Sequence, residues 1–250
     1  MCFTVSIVRK GKIISAEEYY SSLPAVKNKR ENLPELPFYN LVSGFSFPKL
    51  PIVTEDGVYL YDWGLIPSWV KNKEVAAEIR SKTLNAVGET VFDKPSFRRS
   101  IESRRCLFPV SGFYEWREFK GVKYPYFIHV AEEDYFSLGA LYDTWINPQT
   151  AEIKNTFSII TTPANPLMEK IHNLKKRMPL ILSPDDEMKW IDPVLKPEQI
   201  KELIKPFPQE KMSAFTISRD ANNARIHRDY PGILHPVLYP ELESEENLLF

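Results

Sequence analysis

The chain has 250 residues, 43% hydrophobic and 26% charged, with a formal net charge of -1. That composition supplies a sizeable buried core, and its balance of charge excludes a polyanion partner held by the overall field, so any nucleic acid would need a local basic patch. The 2 cysteines exclude a disulfide framework, and no apolar run approaches the roughly 20 residues that cross a bilayer.

In chain order, residues 3–8 read as a strand that starts directly after Cys2, with Phe3, Val5 and Ile7 on one face. Such a strand would hold a terminus that otherwise frays. Residues 15–23 read as a helix stopped by Pro24, and 24–37, with Pro24, Pro34 and Pro37, as loop. Extended segments follow at 52–53 and 58–63. Helices are expected over 74–80 and, opened by Lys94-Pro95, through 104.

A strand-rich block comes next, at 106–110, 113–119, 126–130, 135–141 and 156–161. Asn165-Pro166 has the chemistry of a helix start, and that helix runs to His172. A strand over 178–182, helices over 183–190 and 197–205, and a last strand at 215–218 complete the chain. Strand blocks interrupted by helices, without βαβ alternation, predict an α+β fold. Its centre is a mostly antiparallel sheet or barrel flanked by helices. No linker stands out among the 21 prolines and 9 glycines, so residues 1–250 read as a single domain, with 191–250 its C-terminal part.

Four residues have the chemistry of a reactive site. Cys2 becomes N-terminal when Met1 is trimmed, which places an amine of pKa about 7.7–8.0 and a thiol of about 8.5 on one residue. Such a pair condenses with an aldehyde to an imine, which the thiol closes to a thiazolidine. Alternatively, Cys2 is only a small residue beside the start. Glu115, within Phe113-Tyr114-Glu115-Trp116, is either a carboxylate raised by apolar surroundings and suited to moving protons, or a surface partner of Arg117 or Lys123. His172 falls at a helix C-terminus, whose dipole favours imidazolium. Asn85, in Leu84-Asn85-Ala86, offers an amide to a reacting oxygen or is a turn residue.

Basic residues cluster at Arg98-Arg99 with Arg104-Arg105, and at Lys175-Lys176-Arg177 beside His172. The loop Trp63-Gly64-Leu65-Ile66-Pro67-Ser68-Trp69 holds aromatics able to stack on bases. The 4 histidines show no metal-ligand spacing with each other or with the cysteines, and no Gly-rich phosphate loop occurs. Neither metal nor cofactor is expected. With no signal peptide, the expected location is cytoplasmic.

These segments together resemble the SOS response-associated peptidase family of abasic-site sensors. The resemblance rests on Met1-Cys2, the 63–69 motif, Asn85-Ala86 with Glu89-Thr90, Lys94-Pro95-Ser96-Phe97-Arg98 and Arg105-Cys106-Leu107-Phe108-Pro109. It continues through Gly112-Phe113-Tyr114-Glu115-Trp116, Thr161-Thr162-Pro163-Ala164-Asn165, and His172 with Arg177-Met178-Pro179, in order from residue 1 to about 190.

The resemblance implies capture of abasic sites in single-stranded DNA as a thiazolidine on Cys2, with associated self-processing or lyase activity. Asn85 would then orient the reacting centre, Glu115 handle protons at the amine, and His172 help open the sugar. Trp69, Arg98 and Arg177 would contact DNA. A monomer, nucleoid-associated when on damaged DNA and free of membrane, is implied. Four departures stand out: Phe3-Thr4 where the family has Gly-Arg, Val87 for an Arg, Val42-Ser43 for Ala-Pro, and two extra residues before Arg177, with Lys175-Lys176 among them. The residues themselves leave two alternatives: a thiol peptidase acting through Cys2 on peptides, and a noncovalent single-strand-binding module.

Overall fold

A computed structural model describes residues 2–7, 15–26 and 33–242. The end of the first predicted strand at Val8, part of the loop over 24–37 and the tail from 243 lie outside the described residues. The strands are β1 (Thr4–Ser6), β2 (Val42–Ser43), β3 (Lys49–Val53), β4 (Val58–Trp63), β5 (Asn85–Val87), β6 (Arg105–Val110), β7 (Gly112–Phe119), β8 (Val122–Val130), β9 (Phe136–Ile146), β10 (Ile153–Pro163), β11 (Arg177–Pro179), β12 (Ile181–Leu182) and β13 (Met212–Thr216). The α-helices are α1 (Ala16–Ser21), α2 (Lys73–Lys82), α3 (Arg98–Ser103), α4 (Pro166–Ile171), α5 (Pro184–Ile191) and α6 (Pro197–Leu203).

Five strands close into a barrel. β3 pairs antiparallel with β4 and β6, β6 with β9, and β9 with β10, while β10 returns to β4 in parallel. Closure leaves this ring without an exposed edge. The rings of Trp63, Phe108 and Phe157 pack together in the core, with centroids 5.1 to 6.0 Å apart. β5 lies parallel along β10 with Asn85 opposite Ile159. The α+β expectation, with its barrel-like sheet and flanking helices, is met.

A second sheet runs β13-β8-β7-β1-β2. β1 is paired on both sides, Val5 opposite Phe113 of β7 and Val42 of β2, so the chain's start is held as the sequence predicts. β7 and β8 form a long hairpin in which Glu115 faces Tyr126. This hairpin approaches so closely at Gly112 that a Cβ there would lie 2.2 Å from the Phe127 ring.

Several predicted elements change shape. The helix expected from Lys94 begins only at Arg98, because the residues before it form turns. The strand expected over 178–182 divides at Leu180, whose N–H donates to Ile160 of β10 while its carbonyl accepts from Gly139 of β9. Asn85 lies in a short strand and not in a turn. Arg105, read as part of a basic patch, is buried and donates to the carbonyls of Trp190 and Ile101 at 2.7 Å. Arg104 pairs with Asp143. No helix among the described residues is long and apolar enough to cross a membrane.

Candidate active site

Cys2 is fully buried two residues before the start of β1, and its thiol donates to the Thr4 carbonyl at 3.7 Å. Burial and the charge of Glu115 both push that thiol up, so it is held as SH and not as thiolate. The Cys2 carbonyl accepts a hydrogen bond from Asn85 Nδ2 at 2.8 Å. β5 places that amide by its parallel register on β10. Asn85 Oδ1 is buried and has no hydrogen-bond partner among the described residues. It is therefore an acceptor aimed at the site.

Glu115 reaches the same place from β7. In the antiparallel register each step back along β1 from Val5 is a step forward along β7 from Phe113, which brings Phe3 level with Glu115. The strand is buried on both faces there, with Phe113 and Tyr114 inaccessible and Glu115 only 3% exposed. Burial raises its carboxyl from the ordinary 4.5 to about 8, with Lys175 opposing. At neutral pH this is mostly a carboxylic acid. Glu115 is therefore not a surface carboxylate.

His172 caps α4, whose Asn165 accepts from Met168 N–H at the other end. Its Nδ1 lies 2.8 Å from the Arg177 carbonyl oxygen, and its Nε2 lies 3.8 Å from Glu115 Oε2. A carbonyl only accepts, so Nδ1 carries the hydrogen of the neutral ring and Nε2 presents a lone pair. Burial lowers the imidazole's pKa, which corrects the expectation that a helix dipole would favour imidazolium. Desolvation outweighs the dipole of a 6-residue helix.

Two clefts meet at the residue after the cysteine. One, of about 410 Å³, is lined by Phe3, Glu115, Trp116, His172, Lys175 and Arg228. The other, of about 700 Å³, is lined by Phe3, Phe45, Asn85, Val87, Lys94 and Phe97. The structure therefore brings together Cys2, Asn85, Glu115 and His172.

The three DNA-contact candidates are more scattered. Trp69 is 43% exposed, its Nε1 donating to the Pro95 carbonyl at 3.2 Å on the rim of the second cleft. Trp63, grouped with it by sequence, is wholly buried and donates to the Leu84 carbonyl at 2.9 Å. Arg98 is exposed at the start of α3, one residue beyond the lining of the second cleft. Arg177 is engaged within the protein, by both carboxylate oxygens of Glu89 and by the Thr161 carbonyl at 2.8 Å. Sequence reasoning missed Arg228, which reaches the first cleft from a segment pinned by Asp229 Oδ1 accepting from the Asn40 N–H at 2.7 Å. No local pattern marks that residue; only the tertiary fold brings it there.

Residues 1–224 match the model of a family described as SOS response associated peptidase (SRAP). Over 165 residues the chain is 36% identical to a Bacillus subtilis protein named abasic site processing protein YoqW, covering 65% of this chain and 70% of that one. A Gallus gallus protein named abasic site processing protein HMCES is 32% identical over 196 residues, covering 70% of this chain and 56% of that one. A crystal structure of a Bacteroides thetaiotaomicron protein superposes with TM-score 0.85 at 39% identity, covering 95% of this chain and all of the other. A Bordetella bronchiseptica structure, TM-score 0.69 at 20% identity over 87% of this chain and 100% of that one, shares the fold.

Proposed function

This chain belongs to the SOS response associated peptidase family, and from that premise we propose that it processes abasic sites in DNA, capturing them covalently on Cys2 after Met1 is removed. The observation that carries the reading is the convergence of an amide, a carboxylic acid and a neutral imidazole on one N-terminal cysteine, with Asn85 Nδ2 2.8 Å from the Cys2 carbonyl.

Each group has a step to perform. An abasic deoxyribose is mostly a closed hemiacetal. His172 Nε2 takes the proton of the anomeric hydroxyl while Glu115, held as an acid, protonates the ring oxygen, and the sugar opens to its aldehyde. Asn85 Oδ1 accepts from a sugar hydroxyl and fixes the reacting carbon. The neutral Cys2 amine attacks that carbon, the proton taken up by His172 returns to Glu115, and the carbinolamine loses water with that proton, leaving a protonated imine and the Glu115 carboxylate. The Glu115 carboxylate takes the thiol proton as the sulfur adds to the protonated imine carbon, which gives the neutral thiazolidine and restores the acid. One C–N and one C–S bond form, the C=O bond is lost, one water leaves, and nothing is oxidised.

A single strand is the substrate this arrangement accepts, because the sugar must reach a buried Cys2 between two clefts and away from a stacked duplex. The same burial disfavours a thiol peptidase acting on free peptides, since such an enzyme draws its thiol pKa down and here it is pushed up. Peptidase activity is then confined to exposing Cys2, and strand cleavage is a side path of the imine. The test is denaturing electrophoresis with a single-stranded abasic oligonucleotide. Wild type gives an SDS-resistant species that Cys2→Ala does not give, and Asn85→Ala forms it more slowly. Persistence of the species in Cys2→Ala overturns the assignment.

A further inference from the structure

Phe3, directly after Cys2, and the turn that follows Val42-Ser43 converge on one device. Ser43 caps a turn over Gly44–Ser46, its hydroxyl oxygen accepting from the Phe45 N–H at 3.4 Å. Gly44 N–H donates to the Phe3 carbonyl at 2.8 Å, and Phe47 N–H closes the turn on the Gly44 carbonyl at 2.9 Å. Gly44 is pressed against the buried Trp63, since a Cβ there would lie 3.0 Å from the indole. The turn is therefore fixed, and it holds Phe45 outward at 59% exposure with its ring centroid 5.0 Å from that of Phe3.

We propose that Phe3 and Phe45 form a stacking platform for the nucleobase adjoining the abasic sugar. Phe3 follows the nucleophile directly and lines both clefts, so its ring lies at the junction a strand must cross to reach Cys2. Phosphodiesters on the two sides find Lys94 at one cleft and Lys123, Lys175 and Arg228 at the other. A base has a π-face whatever its identity, which suits an aromatic pair with no hydrogen-bonding group of its own. The inference rests on the abasic-site reading above.

The experiment uses the full chain and a single strand carrying a tetrahydrofuran abasic analogue, which has no aldehyde and cannot condense, with 2-aminopurine beside it. Wild type binds and quenches the 2-aminopurine. Phe45→Ala weakens binding roughly tenfold or more and loses the quenching, while Phe45→Trp restores both. Phe45→Ala binding as tightly as wild type with the same fluorescence, or wild type failing to bind this strand, overturns the platform. Because the analogue is chemically inert, failure of wild type to cross-link a true abasic strand tells against the capture reading and not against this one.

Discussion

His172 Nε2 lies 3.8 Å from Glu115 Oε2, both side chains are buried, and the other ring nitrogen is committed to the Arg177 carbonyl. The pair holds one mobile proton at neutral pH, and it is on the carboxyl, because burial raises Glu115 and lowers His172. A proton donor beside a proton acceptor is what opening a hemiacetal needs.

The pH dependence of capture follows from that pair. Attack needs the Cys2 amine neutral, so the rate rises with pH as that amine gives up its proton, which an ordinary α-amino group does at about 7.7–8.0. Loss of water needs Glu115 protonated, so the rate falls as pH passes about 8. The rate of adduct formation therefore peaks in this region. In Glu115→Gln it is lower throughout and has no descending limb. Stability shifts as well. A carboxyl raised from 4.5 to about 8 binds its proton more tightly when folded, so its contribution is full below 4.5 and is lost as pH rises through about 8. Urea unfolding across that window shows a decline of up to about 1.4 kcal/mol per pH unit in wild type and a flatter profile in the variant. Equal slopes contradict the assignment.

Arg177 is held by both carboxylate oxygens of Glu89, and as a proposed phosphate contact it would have to be released from that pair. The Glu89 carboxyl is kept below its ordinary range by that guanidinium, at a pair whose side chains are 16% and 47% exposed. Glu89→Gln releases the cation to a phosphodiester. Affinity for a single strand rises several-fold at low salt, and the slope of log affinity against log salt steepens by about 0.7. Fluorescence anisotropy over a salt series measures both, and an unchanged slope places Arg177 outside the DNA path.

Gly112 sets how closely the hairpin bearing Glu115 can pack. An added Cβ would meet the Phe127 ring at 2.2 Å and the Ile128 carbonyl oxygen at 2.8 Å, and the carbonyl cannot swing away as a flexible side chain would. Gly112→Ala is expected to cost about 1–3 kcal/mol, read from the urea midpoint. A midpoint equal to that of wild type would show that the hairpin yields there.

What the sequence disclosed was local or linear: the anchored first strand, the strands over 113–119 and 126–130, the helix start at Asn165-Pro166, and the ordered motifs that reveal the family. Burial was less legible. Trp63 and Trp69 bracket one motif, yet the first fills the barrel and the second faces solvent, because the chain leaves β4 at Gly64 with a φ of 103°. His172 looked like an imidazolium when judged by its helix alone; the strands packed against it decide otherwise. Asn85 gave no sign of its strand, since β5 is 3 residues long and exists only by pairing with β10. Arg228 enters the site from far along the chain, and no spacing rule connects it to Glu115.

Capture by Cys2 is tested most directly by intact mass measured before and after mixing with a single-stranded abasic oligonucleotide. The predicted result is a protein lacking Met1 that gains the mass of the oligonucleotide less one water, while Cys2→Ala gains nothing. A protein that keeps Met1 and still forms the adduct, or one that loses Met1 and forms none, contradicts it.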